Sequence, residues 1–148
     1  MLNELKKLLK EIGKVEERYL VSCFNQHGEW KIDFYSKEKH KIYTYFKKDG
    51  KIEVTEDGIF QKETKALEEL DIDKVKVEYE EAVEKVTVGK EKLITILQVI
   101  NGKIVWNITA LTPTLELYNL KVDAESGEVL SESKENVMNF RKEPSVSG

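Results

Sequence analysis

The sequence predicts an α+β fold made of two tandem repeats, each a helix followed by three to four antiparallel strands. Two segments space their apolar residues as an amphipathic helix does, and each precedes the alternation of apolar and polar residues that is typical of strands. Identical residues also recur 76 positions apart, among them Gly13 and Gly89, Asn25 and Asn101, and Trp30 and Trp106.

The repeat predicts how the chain is divided. We expect a first repeat over residues 1–56, a connector over 57–72, a second repeat over 73–133 and a C-terminal tail over 134–148. The connector and the tail are assigned in this way because both are polar and neither shows sustained strand alternation.

The first repeat opens with a predicted amphipathic helix from Leu2 to about Lys14. Its apolar residues fall on one stripe, and Gly13 is well placed to end the helix. A β-rich run follows over residues 17–25. The stripe predicts that the helix packs on the strands that follow it.

The remaining strands of the first repeat are marked by alternation and by turn residues. Apolar residues alternate with polar ones from Trp30 to Phe34, as on one face of a half-buried strand. A charged loop over 36–40 leads to the apolar run 42–46. Asp49-Gly50 is then a hairpin signal before a short fourth strand.

The second repeat begins with a helical stripe that Gly89 closes and continues with a strand over 92–100 that is apolar on both faces. Asn101-Gly102 is a type I′ hairpin signal. Further strands are predicted over 105–111 and 115–122, and Ser126-Gly127 turns the chain into a short last strand.

Charge excludes one large class of function. Charged residues make up 35% of the chain, the net charge is −4, and lysines are interleaved with acids throughout. A nucleic-acid binder needs a basic face, so we expect a solvated surface of mixed charge and no nucleic-acid partner. The abundance of lysine and glutamate agrees with a thermophilic source and equally with an A+T-rich genome.

The cellular location is predicted from the single cysteine, Cys23, and from the lengths of the apolar runs. One cysteine cannot form an internal disulfide, the N-terminus lacks the apolar run of a signal peptide, and no window approaches a membrane span. We therefore expect a soluble cytoplasmic protein. The alternative is an extracellular or membrane-associated protein whose targeting segment has been removed.

The second repeat resembles the PepSY domain family in its helix opening, its Trp-bearing strand and its closing turn: Val75-Lys76-Val77, Glu80-Glu81-Ala82-Val83-Glu84-Lys85-Val86, Val105-Trp106-Asn107-Ile108, and Val122 to Leu130. The resemblance implies a cystatin-like unit, in which one helix lies across a curled antiparallel sheet. It also implies a role in peptidase inhibition or regulation, since some members of the family lie beside peptidases.

The chemistry-bearing residues are few. Cys23 is the single thiol, and His27 and His40 both fall in predicted turns. Two histidines thirteen residues apart do not have the spacing of metal ligands, and no second cysteine completes a zinc set. We therefore expect no catalytic residue, no metal site and no cofactor, with a Cys–His pair as the open alternative.

A candidate binding patch follows from strand alternation. If Trp30 and its neighbours face the helix, then Tyr35, Ile42 and Phe46 point away from it. At the positions that match the last two, the second repeat has polar residues. An apolar patch on an outer face usually marks an interface. The simpler interpretation is that it packs against the connector, the second repeat or another copy of the chain.

Three functional hypotheses remain. The first is a non-enzymatic module that binds a protein or peptide, for example a peptidase, by its sheet face or an open strand edge. The second is a small-ligand-binding protein or enzyme that uses the concave sheet face. The third is a structural or assembly role through pairing of strand edges.

Overall fold

The computed structural model describes residues 2–58, 67–89 and 92–136. In chain order, the elements are α1 (Leu2–Ile12), β1 (Tyr19–Gln26), β2 (Glu29–Ser36), β3 (Lys41–Lys48), β4 (Lys51–Gly58), a 3-10 helix (Ile72–Lys74), α2 (Tyr79–Glu84), β5 (Leu93–Ile100), β6 (Lys103–Leu111), β7 (Glu116–Asp123) and β8 (Val129–Asn136). Residues 59–66 of the predicted connector and residues 137–148 of the predicted tail lie outside the described residues. The first residues of that tail, 134–136, belong to β8.

All eight strands form one antiparallel sheet, in the order β4-β3-β2-β1-β5-β6-β7-β8. The predicted fold class of two tandem repeats, each a helix packed on a curled antiparallel sheet of three to four strands, is therefore wrong. The sheet dominates, and α2 has only six residues. β1 would have been an open edge of the first unit and β5 an open edge of the second. Instead, β1 and β5 pair with each other, with Cys23 opposite Leu97, so the backbone groups of both edges are hydrogen-bonded.

One face of the sheet carries both helices and the main core. Leu5 and Leu8 of α1 and Ala82 of α2 belong to a single cluster of buried side chains with the inward residues of the strands. At its centre Trp30 and Trp106 lie with ring centroids 6.3 Å apart, and Tyr79 packs edge-on against both. We call this surface the helix face and the opposite surface the open face.

The local ends of these elements follow the sequence. Gly13 ends α1 with φ +77°, and its N–H donates to the Leu9 carbonyl at 3.1 Å. This left-handed residue after the last helical turn is the conformation that glycine adopts most readily. The hairpin signals at 49–50 and 101–102 are confirmed, since both residues of each turn have positive φ, as a type I′ turn requires.

The turns also correct the predicted offset of the repeat. The two-residue turns at 27–28 and 101–102 are 74 positions apart, not 76. Asn25 consequently lies within β1 while Asn101 lies in a turn, and Trp30 is opposite Asn25 while Trp106 is opposite Leu97. The identical residues therefore do not occupy equivalent positions in the two halves. The turn sets the register of the two strands it joins, whatever residues the strands contain.

Candidate functional site

A groove of about 730 Å³ lies on the open face of the sheet. Its floor spans the neighbouring strands β4, β3, β2, β1 and β5, and neither described helix packs on this face. We call it the open-face groove. Residues directly opposite one another in antiparallel strands share a face, so the strand register states which side chains meet there.

The floor of the groove carries a row of five polar side chains, one from each strand. We call it the polar row; in spatial order it consists of Thr55, Thr44, Asp33, Ser22 and Gln98. The Oγ of Ser22 donates to Oδ2 of Asp33 at 3.0 Å, and Oγ1 of Thr44 donates to Oδ1 at 2.6 Å. Hydroxyl groups on both sides therefore hold the carboxylate in one orientation.

A β-bulge in β1 lies directly beside this row. Leu20 is opposite Phe34 and Ser22 is opposite Asp33, so Val21 is the additional residue. The bulge turns Leu20 to the helix face and Tyr19 to the open face. Regular alternation counted back from Cys23 would give these two residues the opposite faces. As the additional residue, Val21 lines the groove next to Ser22. Ser22 itself is placed by the turn at 27–28, because the β1–β2 register runs without interruption from that turn to Ser22 and Asp33.

Apolar side chains border the polar row. Phe24 of β1 lies opposite Ile96 of β5 along one side, and Ile42 of β3 lies on the other. Leu67 adds to the wall, and the carbonyl of this residue accepts a hydrogen bond from the Tyr19 hydroxyl. The groove therefore combines apolar walls with a few oriented polar groups, as ligand sites do.

The described lining of the open-face groove has a negative formal charge. Among the described residues, the titratable side chains that line it are Lys31, Asp33, Asp57 and Glu68, which is one base against three acids. The ammonium of Lys31 lies 5.5 Å from the centroid of the Phe46 ring. A cleft lined by one sign of charge concentrates ions of the opposite sign.

The three residues of the predicted patch all lie on the open face, but they do not form one exposed surface. Tyr35 is directly opposite Ile42 and only 2% exposed, because its ring packs edge-on against Tyr19 and its hydroxyl lies 3.0 Å from Nδ1 of His40. Ile42 lines the groove, whereas Phe46 lies opposite Lys31. A binding role for the three residues stays a prediction.

Sequence reasoning missed the polar row. Alternation in β2 already turns Asp33 away from the helix face, between Ile32 and Phe34. Its hydroxyl partners could not be found in that way, because they come from β1 and β3 and depend on the registers of the two hairpins.

The remaining candidate groups lie elsewhere. Cys23 is fully buried on the helix face, and burial raises the pKa of its thiol, with the charge of Asp33 adding to the shift. A buried thiol of this kind is poorly reactive. His27 is exposed in its turn, and His40 contacts Tyr35. Among the described residues, no group of three histidine, cysteine or acidic side chains could hold a metal ion.

Comparison with known proteins shows the fold alone. No protein-family model matches the chain, and no curated protein matches it. The solved structure of a protein from Clostridium difficile 630, described as a "putative lipoprotein", is similar with a TM-score of 0.59 and 14% identity, over 90% of this chain and 91% of that one. Membership of the PepSY family stays a prediction.

The α-helices α1 and α2 have 11 and 6 residues, fewer than the roughly 20 that a helix needs to span a bilayer. Across residues 2–58, 67–89 and 92–136, no helix is long and apolar enough to cross a membrane.

Proposed function

We propose that this chain is a non-enzymatic binding module that takes a segment of a protein or peptide in the open-face groove. The observation that carries the proposal is the polar row, which presents hydroxyl, carboxylate and amide groups in line across five strands between apolar walls. A peptide laid along the row would meet hydrogen-bonding groups with its backbone and apolar walls with its side chains.

The arrangement of the groove supports binding over catalysis. Both oxygens of Asp33 already accept hydrogen bonds, and the hydroxyls of Ser22 and Thr44 donate to a carboxylate. A nucleophilic hydroxyl needs a base beside it that is in turn oriented by a third group. Cys23 lies on the opposite face of the sheet, within the core.

Site-specific photocrosslinking tests the proposal. A photoreactive amino acid at Thr55, which is exposed at the rim of the groove, is compared with one at Ser133, which is exposed on the same face near the far edge of the sheet. We expect a purified partner to be crosslinked from position 55 and not from 133. Equal yields, or none from position 55, would contradict binding in the groove.

A peptidase is the partner that the PepSY resemblance suggests. Titrating a panel of purified peptidases with the protein tests this version by residual activity and by complex formation on gel filtration. We expect at least one peptidase to be bound, and the binding to be lost in a Thr44→Trp variant whose indole fills the groove. If every peptidase keeps its activity and none forms a complex, a peptidase of this panel is excluded as the partner, and other proteins or peptides remain to be tested.

A small ligand in the same groove is the second candidate. The volume of about 730 Å³ lies within the roughly 300–1,000 Å³ that is usual for small-molecule sites. Native mass spectrometry of the protein isolated from its own host distinguishes the two candidates. A bound mass of a few hundred daltons, absent from Thr44→Trp, would favour the small ligand over a peptide segment.

Assembly through strand edges is the third candidate, and it is favoured by β8, whose residues are all exposed along an outer edge of the sheet. Light scattering across a range of protein concentrations tests it. A mass that rises with concentration would support pairing between copies, whereas a constant monomer mass would exclude it.

The similar structure from Clostridium difficile 630 bears on location. Because that protein is described as a "putative lipoprotein", the similarity supports the extracellular or membrane-associated alternative over the cytoplasm. Fractionation of the native host with an antibody to this protein would decide between the two. Recovery in the cytosolic fraction would contradict the extracellular location.

A further inference from the structure

We infer that the open-face groove selects ligands that carry a basic group, such as a lysine or arginine side chain of a bound peptide, with Asp33 as the residue that pairs with it. The inference rests on the proposed function, because it names the chemical class of ligand for the same groove. It follows from the position and bonding of Asp33, from the balance of charge around it and from the apolar walls beside it.

Asp33 is a carboxylate without a cation. Within the described part of the chain, its partners are the hydroxyls of Ser22 and Thr44, and it forms no ion pair. A carboxylate has about four acceptor sites, so two hydroxyl donors leave it able to accept more. A basic group would add a charge-assisted hydrogen bond, which is roughly twice as strong as one between neutral groups.

The surrounding charges favour the same class of ligand. Asp57 and Glu68 add negative charge to the walls, while Lys31, which is the one base in the described lining, lies beside the ring of Phe46. An acidic ligand would meet three carboxylates at this site. A basic ligand would be attracted to the groove and, once there, would reduce the repulsion among them.

The apolar walls fit the rest of a basic side chain. Lysine and arginine bury an aliphatic stem while the charged end seeks a polar partner. Phe24 and Ile96 on one side and Ile42 on the other provide surface for such a stem next to Asp33. A lysine or arginine side chain could thus place its charged group at the polar row and its aliphatic stem against the apolar walls.

A peptide selection tests the inference. A library of random heptapeptides is selected against the purified protein, and the strongest binders are measured by calorimetry. Three variants are compared: Asp33→Asn removes the charge at constant shape, Thr44→Trp fills the groove, and Glu135→Gln removes an exposed charge of the same face on the far edge strand β8. Circular dichroism establishes that each variant is folded.

We expect the selected peptides to be enriched in lysine or arginine and to lose binding to Thr44→Trp. Asp33→Asn is expected to weaken the best peptide about tenfold or more, and replacing the basic residue of that peptide by norleucine should weaken it by a similar factor. The two losses should not add when the changes are combined, since they remove one interaction. Glu135→Gln should bind as the unmodified protein does.

Three other outcomes would overturn the inference. If groove-dependent peptides are selected without basic residues, the inference fails and the proposed function stands. If no selected peptide loses binding to Thr44→Trp, the inference and the groove as a peptide site both fail. If basic peptides respond to Glu135→Gln as strongly as to Asp33→Asn, general surface charge accounts for them and Asp33 has no special part.

Discussion

At the scale of single residues, the centre of the helix face contains polar atoms that the fold does not satisfy. Among the described side chains, Asn25 Nδ2, Trp30 Nε1 and Thr95 Oγ1 are buried without a hydrogen-bond partner. Asn25 is directly opposite Trp30 on one side and Thr95 on the other, so the three lie in one row. A buried polar group without a partner costs about 1–3 kcal/mol.

Thr95→Val should therefore stabilise the protein. The substitution removes an unpaired hydroxyl at nearly constant shape, and we expect the free energy of unfolding to rise by about 1 kcal/mol. The matched control is Thr109→Val. The hydroxyl of Thr109 accepts a hydrogen bond from Asn119 Nδ2 at 3.1 Å, so its removal should lower the free energy of unfolding. Urea denaturation measures both variants. Equal destabilisation of the two would show that the Thr95 hydroxyl is satisfied.

The two tryptophans offer a second matched pair. The indole Nε1 of Trp106 donates to the Val77 carbonyl at 2.9 Å, whereas the Nε1 of Trp30 has no partner among the described residues. Both Trp→Phe changes lose ring surface, but only Trp106→Phe also leaves a buried carbonyl unpaired. We expect Trp106→Phe to be the more destabilising by about 1–2 kcal/mol in urea denaturation. Similar midpoints for both variants would contradict the importance of this bond.

At the scale of elements, the turn between β7 and β8 is organised by Asp123. Its Oδ1 accepts hydrogen bonds from the backbone N–H groups of Glu125, at 2.8 Å, and Ser126, at 3.1 Å. These bonds hold the pKa of the Asp123 carboxyl below its ordinary value, because they stabilise the charged form. A pKa that folding lowers contributes stability above the ordinary pKa of about 3.9, and that stability is lost as the pH falls through the folded value.

Asp123→Ala should accordingly destabilise the protein in a pH-dependent way. At pH 7 we expect a loss of about 1 kcal/mol in the free energy of unfolding, and we expect the difference from the unmodified protein to shrink below about pH 4. Glu125→Ala is the control, since the hydrogen bond at that position uses its backbone and not its carboxylate. Denaturation curves from about pH 2.5 to pH 7 would measure this pH dependence, because the range spans the ordinary carboxyl pKa. A difference that is constant with pH would rule out the charge of Asp123 as its source.

At the scale of the whole molecule, the pairing of β1 with β5 makes the two halves of the chain one structure. The central pair joins five residue positions on each strand, from Ser22 opposite Gln98 to Gln26 opposite Ile94. Trp30 from the first half and Trp106 from the second lie in the same core cluster. Neither half can open its inner edge without breaking backbone hydrogen bonds and exposing this core.

We therefore predict a single cooperative unfolding transition. In Trp106→Phe the remaining tryptophan reports on the first half, and in Trp30→Phe it reports on the second. Within each variant, the urea midpoint from fluorescence should coincide with the midpoint from far-ultraviolet circular dichroism, as two-state unfolding requires. Separate midpoints would mean that the halves unfold independently and that the β1–β5 pairing contributes little.

Local pattern predicted much of this fold and only part of the candidate site. The helix end at Gly13, the hairpin turns at 49–50 and 101–102, and the outward direction of Ile42 all depend on residues close together in sequence. The burial of Tyr35 and the position of Val21 in the groove lining do not. The first depends on a contact with Tyr19 and the second on the β-bulge at Val21, and strand alternation predicts neither.

The sequence by itself determined the local elements, because helix caps, type I′ turns and alternating faces are encoded in side chains and in the φ angles that particular residues tolerate. Only the tertiary structure decided that β1 pairs with β5 and that one sheet forms. Strand edges join through backbone N–H and C=O groups, which nearly every residue carries, so no residue pattern identifies which two edges will meet. The open-face groove is a consequence of that pairing, since Gln98 of β5 reaches the polar row only across it.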